Sequence, residues 1–185
     1  MLSFCKHMLF SGDQAIVSFL QSMALSSSVA TWFAIFAARY LIFALLIAIP
    51  LLWKKGKQGR HAVSELLWAV GISILTTTLI SHVIDRPRPF MVTGSGISHL
   101  IPEPFNFSFP SGHTAAVFAA TAILLSFDRR LGCIAFVIAV SVALGRVAVG
   151  VHYPSDILGG ITVAAIVFLL VKFVHRQIWD TSRTL

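Results

Sequence analysis

Five long apolar segments constrain the fold of this 185-residue chain more than any other feature of its sequence. Each segment is close to the roughly 20 residues that an α-helix needs to cross about 30 Å of hydrocarbon. None shows the alternation of a barrel strand, and a helix satisfies its own backbone hydrogen bonds in lipid. The predicted membrane-spanning helices cover residues 28–53, 62–84, 111–127, 131–151 and 155–174.

The composition supports a membrane fold. Apolar residues make up 57% of the chain and charged residues 11%, whereas about a quarter of a soluble domain is charged. So few charges cannot coat a water-soluble surface, and so many apolar residues exclude intrinsic disorder. We predict one domain over residues 1–185, an all-α polytopic bundle of five transmembrane helices. Residues 13–25 are moderately apolar, and we expect an N-terminal interfacial helix there, or a shallow sixth span.

Positive charge marks one side of the predicted bundle. The chain carries 14 Lys and Arg against 7 Asp and Glu. Basic residues cluster between spans one and two, between spans three and four, and after span five. Five spans place these regions on one side, which the positive-inside rule makes cytoplasmic. We interpret them as a topology signal and expect no nucleic-acid binding. The connections 85–110 and 152–154 then lie on the outer side.

Three arginines break this pattern on the outer side. Arg86 and Arg88 follow span two, and Arg146 lies near the end of span four. A charge near bilayer depth is expensive without partners, so these arginines need a local reason. A lone arginine at a span end more often contacts lipid headgroups. However, the guanidinium group is a planar fork of donors that matches phosphate, and three together predict an oxyanion site.

The predicted start of span three extends this site with Ser111, Gly112 and His113. The first backbone N–H groups of a helix lack intrahelical partners, and the helix dipole favours an anion there. Gly112 lets the backbone approach a ligand closely. The hydroxyl of Ser111 has two competing roles, to cap the helix or to donate to phosphate.

Two histidines supply the predicted chemistry, because histidine transfers protons and attacks electrophiles near neutral pH. Asp156 follows His152 by four residues. Either one helix carries both on one face, or Pro154 introduces a tight turn and Asp156 folds back. Both arrangements put a carboxylate at one ring nitrogen and leave the other nitrogen free to attack. His113 then protonates the leaving oxygen. The acidic residues are scattered along the chain, which argues against a metal site built from carboxylates. We expect no metal ion and no cofactor.

These segments resemble the type 2 phosphatidic acid phosphatase superfamily, which includes bacterial undecaprenyl diphosphate phosphatases. The matching residues lie within 85–156: Arg-Pro at 88–89, Pro-Ser-Gly-His at 110–113, and the third-motif Arg, His and Asp at 146, 152 and 156. Two positions depart from the family pattern. Ser81 stands where the first motif has Lys, and Gly145 stands where the third has Ser. Members specialised for undecaprenyl diphosphate and linked to bacitracin resistance also often lack that Lys, and their Pro-Arg-Pro-Phe resembles residues 87–90.

The resemblance implies a role for each matching residue. His152 attacks the terminal phosphorus and forms a phosphohistidine, Asp156 orients His152, and His113 protonates the leaving group and then activates water. The phosphate oxygens are bound by Arg88, Arg146, Ser111 and the amide of Gly112. The resemblance further implies a metal-independent reaction and an antiparallel helical bundle with its site at the outer surface.

Arg39 is a further candidate because it falls inside the predicted first span. An ionisable residue within the membrane is a functional hypothesis by default. One interpretation is that Arg39 reaches the second phosphate of a diphosphate substrate. The other is that it extends its side chain to the membrane surface or pairs with an acid such as Asp85.

We expect an integral membrane phosphatase that hydrolyses undecaprenyl diphosphate to undecaprenyl phosphate and phosphate at the outer face of the bacterial cytoplasmic membrane. The small size, the absent Lys and the run 86–90 favour this substrate. One alternative is another lipid phosphate, such as phosphatidylglycerophosphate, phosphatidic acid or lipid A, or phosphoryl transfer to a second lipid. Another is a non-catalytic protein that binds anionic lipid through the same arginines. The expected partners are a polyprenyl or other lipid phosphate and the bilayer, and the oligomeric state is left open.

Overall fold

The computed structural model describes residues 2–102 and 107–181, and the side chains of residues 12–102 and 107–177. Over these residues the chain is all-helical, as predicted. The α-helices are α1 (Leu2–Ala24), α2 (Ser28–Arg39), α3 (Ala48–Trp53), α4 (Gly56–Ile84), α5 (Gly112–Phe127), α6 (Arg129–Ala148) and α7 (Pro154–Thr181). Short 3-10 segments cover Leu41–Ile47 and Pro89–Met91.

Helix α5 forms the centre of the bundle and packs against α4, α6 and α7. Nine of its 16 residues are buried, and most of these are alanines or other small side chains. A helix that is apolar all round belongs in an interior, and small residues let neighbouring helices approach closely. The N–H of Ser111 donates to the carbonyl of Asp156 at 3.1 Å. This bond fixes the start of α5 beside the start of α7.

Three stretches of the described residues are long and apolar enough to cross a membrane, namely Gly56–Met91, Arg129–Ala148 and Pro154–Gln177. The predicted first span is broken instead, since Ser28–Arg39 and Leu41–Trp53 meet at 50° and pass the same test only together. Helix α5 rises about 24 Å, less than the roughly 30 Å of a hydrocarbon core. The count of five spans and the interfacial position of α1 therefore stay predictions.

Pro50 explains why helix α3 begins at Ala48. In an uninterrupted helix, the ring of Pro50 would clash with the carbonyl of Leu46, and no N–H would donate to that carbonyl. The chain instead tightens into the 3-10 segment and restarts as α3 at Ala48. Pro50 then lies in the first helical turn, where its missing N–H is not needed.

The two basic connections between helices meet at one end of the bundle. The ammonium group of Lys55 contacts the carboxylate of Asp128. The same carboxylate caps α6 by accepting the N–H groups of Arg130 at 2.9 Å and Leu131 at 3.1 Å. Lys55 and these N–H groups hold the pKa of Asp128 below its usual value. This end lies opposite the end that carries the predicted site.

Candidate active site

A cleft of about 330 Å³ opens where α4 ends and where α5 and α7 begin. Its walls are formed by Thr77, Thr78, Ser81, Arg88, Phe107, Pro110, Gly112, His113, Arg146 and His152. Five of these are predicted site residues, and they come from four separate parts of the chain. The structure therefore brings together most of the residues that the motifs singled out.

The ring of His152 is held by the backbone of the loop before α5. Its Nδ1 lies 2.9 Å from the carbonyl oxygen of Ser108, and since a carbonyl only accepts, Nδ1 carries the proton and donates it. The carboxylate of Asp156 is further away, with Oδ2 at 3.5 Å from Nδ1, beyond the usual length of a hydrogen bond. The tautomer is therefore fixed by Ser108, and Nε2 keeps its lone pair.

Two buried guanidinium groups converge on that free nitrogen. Nη2 of Arg146 lies 3.4 Å from Nε2 of His152, and Nη1 of Arg88 lies 3.5 Å from it. Arg88 is also anchored by donating to the carbonyl of Val151 at 2.9 Å. Arg146 is 1% exposed and Arg88 is 4% exposed. Two buried cations beside a neutral ring make a positively charged pocket, and the planar fork of each guanidinium matches a phosphate oxygen pair.

The protonation state of His152 suits a nucleophile. Burial lowers the pKa of His152 to about 4, with the charges of Arg146 and Arg88 acting in the same direction and Asp156 opposing them. The ring is therefore neutral at physiological pH. A neutral imidazole with a free Nε2 can attack an electrophilic phosphorus, whereas an imidazolium cannot.

Asp156 lies in the first turn of α7 and folds back toward the residues before it. Its Oδ2 accepts the N–H of Tyr153 at 2.8 Å and contacts the hydroxyl of Ser108. Helix α7 begins at Pro154, after His152. Of the two arrangements expected for His152 and Asp156, the structure thus has the tight turn rather than one shared helix face.

Arg86 lies behind the cleft and holds Asp156 in place. Its Nη1 donates to Oδ1 of Asp156 at 2.7 Å and to the hydroxyl of Ser155 at 2.6 Å. Its Nη2 donates to Asp13 of α1 at 2.8 Å, and its guanidinium stacks 4.1 Å from the ring centre of Tyr153. These contacts describe a support for the carboxylate. The expected role of Arg86 as a phosphate ligand stays a prediction.

The start of α5 has the geometry expected of an anion site. The hydroxyl oxygen of Ser111 accepts two hydrogen bonds from Thr114, one from its backbone N–H at 3.4 Å and one from the Thr114 hydroxyl at 3.0 Å. Of its two expected roles, Ser111 therefore performs the capping role, and phosphate binding by its hydroxyl stays a prediction. Gly112 and His113 occupy the first turn and line the cleft. A Cβ on Gly112 would lie 3.3 Å from Oγ1 of Thr77, so glycine keeps this wall open.

Comparison with known proteins agrees with this geometry. Residues 62–180 match the family described as the PAP2 superfamily. The undecaprenyl-diphosphatase BcrC of Bacillus subtilis is 33% identical over 144 residues, which are 75% of this chain and 72% of that protein. The putative undecaprenyl-diphosphatase YbjG of Escherichia coli is 32% identical over 131 residues, 69% of this chain and 65% of that protein.

A solved structure extends the match to the fold. The crystal structure of the first transmembrane PAP2 type phosphatidylglycerolphosphate phosphatase from Bacillus subtilis superposes with a TM-score of 0.68. It has 26% sequence identity and covers 92% of this chain and 88% of that one. The chain belongs to the PAP2 superfamily. The predicted family is confirmed, and with it a membrane-embedded lipid phosphatase.

One departure from the PAP2 motifs has a structural reason. Gly145 stands where the third motif has Ser, and α2 crosses α6 at this point. A Cβ on Gly145 would lie 2.8 Å from the backbone N of Ala38 and 3.0 Å from Cβ of Ala37. Backbone atoms at that distance cannot yield without moving a helix. In this PAP2 chain, glycine is the residue that lets α2 pack against the end of α6 that carries Arg146.

Two other residues of this PAP2 site were not expected from sequence. Ser108 joins His152, Asp156 and the carbonyl of Arg86, to which its N–H donates at 2.7 Å. Asp13 joins Arg86 to the N-terminal helix. The only sequence signal for Ser108 is its place as a polar residue between Phe107 and Phe109, and no spacing indicates Asp13.

Arg39 lies outside the cleft lining. It is the last residue of α2, its side chain is exposed, and its guanidinium lies 5.6 Å from the ring centre of Tyr40. Contact between Arg39 and a second phosphate stays a prediction.

Within the described residues, no three His, Cys, Asp or Glu side chains form a group that could hold a metal ion. The expectation that the reaction needs no metal ion stays a prediction.

Proposed function

We propose that this chain hydrolyses undecaprenyl diphosphate to undecaprenyl phosphate and inorganic phosphate through a phosphohistidine. The observation that carries the proposal is the convergence of Arg88 and Arg146 on the free Nε2 of His152. Two guanidinium forks beside a nucleophile form a site for a terminal phosphoryl group. The diphosphate substrate is supported by the names of the BcrC and YbjG relatives and by the Arg-Pro-Arg-Pro-Phe run at 86–90.

In the first step, Nε2 of His152 attacks the terminal phosphorus. A phosphorus–nitrogen bond forms while the bond to the bridging oxygen breaks, and undecaprenyl phosphate leaves. His113 gives its proton to that oxygen. Arg88 and Arg146 hold the equatorial phosphate oxygens, where charge is greatest in the transition state. The imidazole becomes positively charged, and Asp156 stabilises that charge from the other side of the ring.

In the second step, His113 takes a proton from water, and the water oxygen attacks the phosphohistidine. The phosphorus–nitrogen bond breaks, phosphate is released, and the lone pair returns to Nε2. The same residue thus acts as acid and then as base. The N–H groups at the start of α5, including that of Gly112, are placed to bind the phosphate in both steps.

We further propose that the cleft faces the periplasm or the cell exterior from the bacterial cytoplasmic membrane. The basic connections joined by Lys55 and Asp128 lie at the opposite end of the bundle. The positive-inside rule places such an end in the cytoplasm. Labelling of a single cysteine placed near the cleft by a membrane-impermeant reagent in intact cells tests this orientation, and labelling only after lysis would contradict it.

The decisive experiment is phosphate release from undecaprenyl diphosphate by purified protein in detergent with EDTA. Release that His152→Ala abolishes is the expected result. Exposed His99, whose ring packs 4.5 Å from that of Phe90, offers the matched control, and His99→Asn is expected to keep full activity. Phosphohistidine is labile in acid and stable in base, whereas phosphoserine is stable in acid and labile in base. After quenching a reaction with substrate labelled in its terminal phosphate, the phosphoryl group on the protein should be acid-labile, and it should be absent from His152→Ala.

Two outcomes would contradict the proposal in different ways. Full release by His152→Ala would remove the nucleophile and the mechanism. No release by folded wild type would remove this substrate, and phosphatidylglycerophosphate becomes the next one to assay. The structural neighbour from Bacillus subtilis, a phosphatidylglycerolphosphate phosphatase, is the observation that favours this second candidate.

A further inference from the structure

The cleft has a second wall, formed by α4, that the proposed reaction does not use. Its residues are Thr77, Thr78 and Ser81. The first turn of α5 separates this α4 wall from α7. On one side, the N–H of Ser111 donates to the carbonyl of Asp156 in α7. On the other, a Cβ on Gly112 would lie 3.3 Å from Oγ1 of Thr77. The α4 wall therefore lies across the start of α5 from His152, which stands just before α7.

The direction of phosphoryl transfer points the leaving group toward the α4 wall. In such a transfer, the attacking and leaving atoms lie roughly in line through the phosphorus. Since Nε2 of His152 attacks from one side, the leaving oxygen lies on the side away from His152. In a diphosphate lipid this oxygen belongs to a second phosphate, which departs with the lipid. We therefore expect the second phosphate to lie against the α4 wall.

One hydroxyl of the α4 wall is available as a donor to phosphate. A hydroxyl has a single proton to donate, and two of the three hydroxyls already use theirs. Oγ1 of Thr77 donates to the carbonyl of Ser73 at 2.9 Å. Oγ of Ser81 donates to the carbonyl of Thr78 at 2.7 Å. Within the described part of the chain, the hydroxyl of Thr78 has no hydrogen-bond partner. Its proton is therefore available to a ligand in the cleft.

His82 extends this wall by one turn toward the mouth of the cleft, where α4 ends. It follows Thr78 by four residues of α4, a rise of about 6 Å on the same face. Its Nδ1 lies 2.7 Å from the carbonyl of Thr78 and donates to it. Its ring stands edge-on to that of Phe107, a cleft residue, with 5.6 Å between the ring centres. These contacts leave Nε2 as the nitrogen that can bind a ligand, and a protonated ring donates from Nε2 with a full charge.

The same face of α4 offers a path for the lipid chain. Leu75, Thr78, Leu79 and His82 stand at positions i, i+3, i+4 and i+7, which share one face of a helix. The two leucines are 60% and 61% exposed, and α4 lies within a segment apolar enough to cross a membrane. Exposed leucines on such a helix face the lipid tails. A phosphate bound by Thr78 and His82 thus lies beside the surface where its lipid chain enters the bilayer.

On the basis of the phosphatase function proposed above, we propose that His82 and Thr78 bind the second phosphate of a diphosphate lipid. This pair gives the cleft a preference for diphosphates, because a monophosphate lipid has no second phosphate to contact it. The pair also stabilises the charge that develops on the leaving phosphate. Arg88 and Arg146 hold the terminal phosphoryl group as before, and His113 protonates the bridging oxygen.

Two substrates that differ by one phosphate test this assignment. Farnesyl diphosphate and farnesyl phosphate carry the same chain, and the measured quantity is the ratio of their kcat/KM values. His82→Gln should lower this ratio by about tenfold or more, the usual size of a hydrogen bond to a charged group. His82→Lys keeps a cation at this position and should recover part of the ratio. Thr78→Val, which loses a neutral donor, should lower the ratio by about two- to tenfold.

His99 offers a matched control for His82. It is exposed, and its ring packs against that of Phe90 at 4.5 Å, much as the ring of His82 packs against Phe107. His99→Gln should therefore keep the wild-type ratio. An unchanged ratio in His82→Gln would overturn the assignment, and so would equal losses for both substrates. A ratio that falls in Arg39→Gln but not in His82→Gln would place the second phosphate at the end of α2 and would also overturn it.

A binding measurement separates this assignment from the proposed reaction. Methylenediphosphonate has a P–C–P bridge that is not hydrolysed, and methylphosphonate has only one phosphonate group. Calorimetric titration of the unsubstituted chain in detergent should give a Kd for methylenediphosphonate about tenfold lower than that for methylphosphonate. His82→Gln should abolish this preference, and His99→Gln should keep it. A preference that does not depend on His82 would overturn the assignment whether or not the chain hydrolyses diphosphates.

The second-phosphate site and the proposed reaction can therefore fail separately. If the binding preference depends on His82 but no diphosphate is hydrolysed, the proposed reaction fails and the site stands. If hydrolysis of the diphosphate requires His152 but His82→Gln changes neither the kcat/KM ratio nor the binding preference, the reaction stands and the site fails.

Discussion

Asp13→Asn tests whether the N-terminal helix supports His152, the proposed nucleophile. Asp13 accepts from Arg86 at 2.8 Å and from the N–H of Ser155 at 3.2 Å, and it contacts the Ser155 hydroxyl. Arg86 in turn donates to Asp156. Asparagine has nearly the same shape but no charge, so the variant removes one carboxylate that holds the Arg86 guanidinium while leaving the packing of α1 intact.

The expected size follows from the burial of this ion pair. The side chains of Asp13 and Arg86 are 11% and 12% exposed, so water screens their interaction only partly. A hydrogen bond to a charged group contributes about 1.5–3 kcal/mol. If the whole of this acted on the position of Asp156, kcat would fall by about 10- to 150-fold, since about 1.4 kcal/mol corresponds to tenfold. KM should change little, because Asp13 and Arg86 lie outside the cleft lining.

The assay is steady-state phosphate release by Asp13→Asn beside Asp85→Asn. Asp85 is exposed, precedes Arg86 directly and has a left-handed backbone with a φ of 49°, which asparagine tolerates. Asp85→Asn should therefore keep wild-type kcat and KM, and Asp13→Glu should recover part of the lost kcat. Wild-type kcat in Asp13→Asn would refute the reasoning. A loss of kcat that is fully explained by a lower melting temperature would also refute it, because the N-terminal helix would then contribute only to stability.

Three further predictions concern single residues. Because burial lowers the pKa of His152 to about 4, kcat/KM should decline near pH 4 on the acid side, and a decline near pH 6.5 would contradict the burial argument. Between about pH 6.5 and 4 the unfolded ring gains a proton that the folded ring does not, so the free energy of unfolding should drop by about 3 kcal/mol over this range. His152→Asn should remove that drop. Gly145→Ser restores the PAP2 motif but should lower the free energy of unfolding by about 1–3 kcal/mol. An unchanged denaturation midpoint would show that α2 can shift away from the added side chain without loss of stability. Arg88→Lys keeps the charge and loses the fork, so kcat/KM should fall by at least about tenfold, with wild-type values arguing against contact between Arg88 and phosphate.

Sequence reasoning located the cleft because the motif residues carry their own local geometry. Pro154 starts a helix, and an acid in its first turn folds back on the preceding backbone. Ser111 caps α5 for the same kind of local reason. The positive-inside rule predicts few arginines on the outer side, so the arginines found there needed partners. These arguments need only a few neighbouring residues, and they placed Arg88, Arg146, His152 and His113 together.

The residues that escaped prediction act across long sequence separations or through the backbone. Asp13 contacts Arg86 from 73 positions away, and no periodicity relates the two. Ser108 acts on His152 through its carbonyl oxygen, which every residue type possesses. The break of the first span escaped because a hydropathy average does not register a change in the direction of a helix. Contacts of this kind depend on which helices pack against each other. Apolar segments of similar composition do not indicate this when each is considered alone.

The division of labour around His152 follows from two physical requirements of the proposed reaction. The ring must be neutral before attack and must tolerate a positive charge after it. A carboxylate in direct contact would fix the tautomer but would also raise the pKa of His152 and protonate the nucleophile. The carbonyl of Ser108 fixes the tautomer without a full charge, while Asp156 at 3.5 Å is near enough to stabilise the charge that develops on the ring. Arg86, itself tied to Asp13, keeps that carboxylate at this intermediate distance.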